Sequence, residues 1–332
     1  MLDYKSNRAI KIISNAINKL SLNLTDYIIL TEVGSNYYNY TPIIAALANA
    51  KYVYAWTRDS QYGSGKEIKE KCMNIAKALS LNDKISITIN DKPISQIAEA
   101  DIITNSGFLR PLNADFLKHV KLNAVIPLMY ELWELRQEDI DIEFCKKNQI
   151  KVAGTSESNS DINVFGACGA LAVKLANEAG YEVYQNNIAV WSNDDFGKVS
   201  FNAFKDAKAA NVNIYNDYSL LLSDIDKIDF LYICDYNEKR SYFGPKGFMA
   251  LDELIKKNNS FGVVHLYGDI DNEILKRNNI NVYPDKKGYP NVMTCTLGHV
   301  GLLPILNLQT AGFKVGQLLK QNKVSNLIQP VY

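Results

Sequence analysis

The chain has 332 residues, 47% of them hydrophobic and 22% charged, an ordinary globular composition at a length that suits two domains rather than one. Lysine plus arginine and aspartate plus glutamate balance at 36 each, and no basic block stands out, so neither nucleic acid nor an anionic membrane is an expected partner. No apolar run approaches the roughly 18 residues that span a bilayer. Five scattered cysteines without a C-x-x-C pair argue against a disulfide framework, and three separated histidines against a histidine-rich metal site. The N-terminal stretch lacks the apolar centre of a signal peptide, so the expected compartment is the cytoplasm.

Segments rich in β-branched and aromatic residues alternate with longer ones of helical period, the pattern of βαβ units. A helix is expected over 7–20, then a strand over 27–31, the turn Glu32-Val33-Gly34-Ser35 and a helix over 42–50. Strand 52–56 and a helix over 65–80 follow, with further strands at 85–88, 101–104, 124–128 and 150–155. The polar run 156–161 reads as a helix cap, and an apolar helix over 162–179, closed by Gly180, bridges to a second half. That half is read as strand 187–191, helix 196–210, strands 212–215 and 230–234, helix 251–257, and strands 262–266 and 292–295. An amphipathic helix over 308–321 ends the series, with no partner strand after it. The fold class is therefore α/β, with two doubly wound, Rossmann- or flavodoxin-like parallel-sheet domains and a cleft between them. Residues 1–155 with 305–332 form one domain and residues 156–304 the other.

Residues 187–197 follow the order strand, tight loop, helix, in which a Gly-x-Gly-x-x-Gly loop lays a pyrophosphate against a helix N-terminus. The three glycine positions fall on Ser192, Asp194 and Gly197, with Asn193 and Phe196 completing the loop. Only the last is glycine, and a carboxylate at Asp194 repels phosphate. Asn216 and Asp217 end the next strand, roughly 20 residues on, where an acid would hold a ribose hydroxyl.

The order of these parts resembles the D-isomer-specific 2-hydroxyacid dehydrogenase superfamily, in its formate and glycerate dehydrogenase branch. The likeness is carried by Asp101-Ile102-Ile103-Thr104 with Arg110-Pro111-Leu112-Asn113, by 139–145 with 149–152, by the degenerate glycine loop, and by 290–294 with Gly298-His299. It implies an NAD- or NADP-dependent oxidoreductase acting on a small hydroxy or oxo compound. In that family an arginine binds the substrate carboxylate, a histidine exchanges the proton and an acid orients the histidine. These roles would fall on Arg240, His299 and Asp269. Two departures stand out: the glycine loop, and the bulky acidic stretch 127–136 where the family has glycines, in which Glu131 or Glu134 would repel a carboxylate substrate.

The first domain offers its own candidate positions. The turn 32–37 follows a strand and precedes a helix, and Ser106, Gly107 and Arg110 follow the fourth strand. With Tyr130 and Glu131 these are the candidate substrate residues. Two other readings stay open. One is a catalytically altered protein binding another nucleotide or small ligand; the other is a transferase using S-adenosylmethionine or a nucleotide at the first-domain turn. A small-molecule ligand and a homodimer are expected, with no metal.

Overall fold

The computed structural model describes residues 2–332, and they divide into two compact units: 2–164 with 301–332, and 165–300. In the first, Asp3 accepts the Ser6 N–H at 2.7 Å and so starts helix α1, Tyr4–Leu20, a turn ahead of the expected 7–20. Its buried face, Ala9, Ile12, Ile13, Ala16 and Leu20, has the spacing that lays one helix stripe on a core. The βα series then runs β1 (Ile28–Glu32), α2 (Thr41–Leu47), β2 (Tyr52–Thr57), α3 (Gly65–Ala78) and β3 (Ile85–Ile89). It continues through α4 (Ile94–Glu99), β4 (Ile102–Ile103), α5 (Ala114–Leu117), β5 (Val125–Pro127), α6 (Ile142–Lys147) and β6 (Lys151–Thr155).

The second unit contains α7 (Ala167–Glu178), β7 (Asn187–Trp191), α8 (Asp195–Asp206), β8 (Asn211–Tyr215), α9 (Tyr218–Asp224) and β9 (Phe230–Ile233). It closes with α10 (Leu251–Lys257), β10 (Gly262–His265), α11 (Asn272–Arg277) and β11 (Val282–Tyr283). The chain then returns to the first unit as α12 (Leu302–Lys320) and β12 (Ile328–Pro330).

Each unit is a doubly wound sheet. The first has strand order β12-β6-β5-β4-β1-β2-β3, parallel except for β12, which pairs antiparallel with β6. The second has order β11-β10-β9-β7-β8, all parallel. Winding reverses between β1 and β4 in the first and between β7 and β9 in the second. Loops at the carboxyl ends of those pairs part, which is where open α/β sheets bind ligands. Among the described residues, no helix is long and apolar enough to cross a membrane.

The structure departs from expectation at three elements. The helix expected from 162 begins only at Ala167, because Asn163 takes a positive φ and the Val164 N–H is spent on the Glu157 carbonyl, which folds 156–164 back on the first unit. Residues 292–295 form no strand; Thr294 makes one backbone bond to Leu266, and the sheet edge is β11 instead. The last helix starts at Leu302, is buried nearly all round rather than amphipathic, and is followed by strand β12.

Helix α12 lies close on β4 and β5 because Gly316 has no side chain there. A Cβ at this position would stand 2.7 Å from Ile102 Cγ2 and 3.2 Å from Pro127 Cγ. Gly316→Ala gains about 1 kcal/mol of helix propensity but overpacks two strands at a cost of about 1–3 kcal/mol. Urea denaturation is expected to show a net loss of about 1 kcal/mol, with the m-value unchanged.

Candidate functional site

In the first unit the loops after β1 and β4 meet tightly. The Thr31 and Thr104 hydroxyls share a buried hydrogen bond of 3.0 Å, and Thr104 shares another of 2.9 Å with Ser106. The Glu32 carboxylate accepts the Phe108 N–H at 3.1 Å and lies hard against Gly107, whose φ of +45° and missing Cβ leave it room. Arg110 Nη1 reaches both carboxylate oxygens of buried Asp139, at 3.1 and 3.2 Å, and Tyr130 donates its hydroxyl to the same group at 2.8 Å. Ser106, Gly107, Arg110 and Tyr130 therefore lie on linked loops at the carboxyl edge of this sheet.

Glu131 joins them with two residues that the sequence did not single out as ligands. Its Oε1 accepts the Glu157 N–H at 2.8 Å, its Oε2 accepts the Trp133 indole N–H at 2.6 Å, and its own N–H donates to Glu134 Oε1 at 3.4 Å. Burial, with the charge of Glu131 adding to it, pushes Glu134 up to about 7. Burial and the charges of Glu134 and Glu131 raise Glu157 well above the carboxylate range. Glu32 is raised by burial against the opposing pull of the Phe108 N–H, Arg110 and Arg58. Tyr38, 42% exposed, faces this group: desolvation raises its hydroxyl first, then the charges of Glu32, Glu134 and Glu157.

The second unit treats its own crevice differently. Asp194 caps α8, with Oδ1 accepting the Phe196 N–H at 2.9 Å and the Ser192 hydroxyl at 2.8 Å. Its Oδ2 crosses to the loop after β9 and accepts the Tyr236 N–H at 2.8 Å. In return Asp235 Oδ2 accepts the Asn193 N–H and side-chain amide, both at 3.2 Å, while its Oδ1 takes the Asn237 and Glu238 N–H groups. Burial raises Asp194, and the charge of Asp235 adds to the rise. Gly197 packs flat on Ser192. Asp217 is spent capping α9, accepting the Ser219 N–H at 2.7 Å, and Asn216 beside it is exposed. The backbone donors that a diphosphate would use are thus already held by carboxylates.

The expected trio is not assembled. Arg240 follows β9, forks onto Glu238 at 2.6 and 3.0 Å and stacks over Phe248 at 4.2 Å. Asp269 follows β10 and pairs through its backbone with Ser241 and Tyr242. His299 instead binds Glu178 at 2.7 Å, and its carbonyl accepts Lys174 Nζ at 2.7 Å. Glu178 ends α7 ahead of β7, so this pair lies toward the amino ends of the strands, while Arg240 and Asp269 lie at their carboxyl ends. The His299 hydrogen bond, with help from Tyr283, holds Glu178 below the usual carboxylate range. Among the described residues no group of three or more His, Cys, Asp or Glu side chains could hold a metal ion.

No family model matches the chain, and no curated protein matches it. Solved structures do share its fold. A dipicolinate synthase polypeptide from Bacillus halodurans is 12% identical with a TM-score of 0.53, over 90% of this chain and 99% of that one. Its counterpart in the dipicolinate synthase of Bacillus subtilis is 12% identical with a TM-score of 0.50, over 91% and 97%. A D-lactate dehydrogenase of Treponema pallidum is 8% identical with a TM-score of 0.46, over 92% and 100%. At this identity the likeness to the two dipicolinate synthase structures is a likeness of two-domain, Rossmann-like fold.

Glu134 gives the first unit a definite response to pH. Its folded value of about 7 exceeds the ordinary value of 4.5, so its contribution to stability is full below about 4.5 and is lost as pH rises through about 7. The loss is at most about 3 kcal/mol. Melting temperatures of the wild type and Glu134→Gln are expected to diverge from pH 5 to pH 8. The variant, which cannot ionise, should show the shallower decline.

Proposed function

We propose that the chain is an NAD(P)-dependent oxidoreductase-like protein acting on a small hydroxy or oxo compound, with the first unit supplying the ligand contacts and the proton. What supports this reading is the turn at the carboxyl edge of the sheet in which the Glu131 N–H donates to Glu134 Oε1 at 3.4 Å, where burial pushes the Glu134 carboxyl up to about 7. A group matched to neutral pH can give a proton to, or take one from, a ligand oxygen with little driving-force penalty. Glu134, rather than His299, is the proposed proton-transfer group. Ser106, Gly107, Arg110, Tyr130 and Glu131 remain the proposed ligand residues, joined by Glu32, Tyr38 and Glu157.

The cofactor part rests on the shared fold and on the strand–loop–helix of 187–206. As the loop stands, a diphosphate does not fit. Asp194 and Asp235 occupy the donors, and two carboxylates oppose a dianion. No step is therefore assigned to the dinucleotide. Those crossed carboxylates favour a second reading, a binding protein of altered chemistry on the same fold.

Calorimetry with NAD and NADP separates the two. Asp194→Asn keeps a good helix cap but removes the charge; Asp194→Gly also clears the backbone. On the first reading both variants bind a dinucleotide about tenfold or more tighter than the wild type. Unchanged or absent binding in both would leave the second reading standing.

A further inference from the structure

His265 ends β10, and the residue is wholly buried. It pairs in register with Ile233, which pairs with Trp191, so its ring points into the sheet face that those two share with Leu251, Leu254 and Leu275. Neither ring nitrogen has a hydrogen-bond partner among the described residues, and neither does Oδ1 of Asn272, itself 4% exposed. Buried polar atoms without partners carry a desolvation cost that an apolar side chain would not.

The cover over this ring is a strap, residues 284–294, that leaves the end of β11. Its buried residues are Pro284, Gly288 and Thr294, while Tyr289 and Val292 between them are about half exposed. All three buried residues come down around His265. The Pro284 carbonyl, held by Asn272 Nδ2 at 2.7 Å, stands beside the ring. A Cβ on Gly288 would lie 3.2 Å from the ring's Nδ1, so the strap passes close only because that side chain is missing. Thr294 donates its hydroxyl to the His265 carbonyl at 2.7 Å and its N–H to the Leu266 carbonyl at 2.8 Å. Further ties run from the Gly288 N–H to the Ile270 carbonyl at 2.9 Å and from the Asn291 amide to the Tyr236 carbonyl at 2.6 Å.

We propose that His265 is an acid-sensitive latch: the strap lies closed over the neutral ring and opens when the ring takes up a proton. Through Asn291, opening also releases the loop after β9. A charged ring would meet no carboxylate there. Lys286 on the strap repels it, Asp285 turns to Lys276, and Lys287 lies over the Tyr289 ring at 5.5 Å. From α11 the neighbour is uncharged Asn272, with Asp271 spent on the Glu273 N–H at 3.0 Å, and from β9 it is Ile233. Burial pushes the ring down from 6.5 to about 4; Pro284 and Asn272 pull the other way, and Lys286 adds to the fall. Closure is therefore fully stable above about pH 6.5 and weakens as the pH falls from there toward 4. The latch is independent of the function proposed above.

Amide-resolved hydrogen exchange on the intact chain tests the latch at pH 7.5 and pH 5.0, with rates corrected for the intrinsic effect of pH. The open population reported by the Gly288 and Thr294 amides should be about 30-fold higher at pH 5.0. Both amides should also be less protected than those of 187–191 at either pH, because the strap opens without the sheet. His265→Gln, which does not titrate, should abolish the pH effect. Should that variant fail to fold, Lys286→Glu on the exposed part of the strap serves instead; its carboxylate favours the charged ring and should shrink the effect. Exchange that is the same at the two pH values overturns the latch. So does a pH effect undiminished in the folded variant. Strap amides as well protected as 187–191 overturn it too, since the whole unit would then be opening at once.

Discussion

Where a doubly wound sheet reverses its winding, two loops leave neighbouring strands in opposite directions, and the backbone N–H groups at their roots have no strand to bond. Each unit answers this constraint with carboxylates. In the second, Asp194 and Asp235 exchange hydrogen bonds across the gap between the loops after β7 and β9. In the first, Glu32 reaches from the end of β1 to the loop after β4, and Glu131 ties the loop after β5 to the loop after β6. The same physical need that makes such crevices anion sites is met internally, by carboxylates of the chain itself.

Much of the fold was legible because apolar residues repeat with the period of each element. Strand 187–191 and helix 251–257 lie where the pattern places them. Strand β12 was not legible: Ile328–Pro330 is short, half exposed and ends in proline, and only its pairing with β6 makes it a strand. The candidate site was legible in part. The loss of two glycines at 192 and 194 and the acidity of 131–134 are visible in the letters alone. The partners are not. Asp235 lies 42 residues from Asn193, Glu157 26 residues from Glu131, and Glu178 121 residues from His299. Side-chain bonds over such separations leave no period, and a likeness of order placed His299 by analogy where the packing pairs it with Glu178.

Fixed and unfixed charges divide clearly in the first unit. Asp139 is nearly buried and fully engaged, with Arg110 forked to it and the Tyr130 hydroxyl beside the fork. Such a group holds loop geometry and has nothing left to offer a ligand. Glu157 is nearly as buried; its N–H is held by Glu131, and burial with the charges of Glu134 and Glu131 raises its carboxyl. Gln329, which donates to Glu131 and accepts the Leu132 N–H, comes from β12, so the far end of the chain helps to shape the acidic edge.

That return has a consequence for synthesis. The second unit is one continuous stretch, 165–300, whereas the first needs α12, which packs against α1 and covers β5 and β6. A ribosome delivers about 5–20 residues each second, so the second unit can finish folding while the first still lacks its central helix. For many seconds the sheet of β1–β6 stands with one apolar face open in a crowded cell. The burden on chaperones falls on the half of the molecule that is made first and completed last.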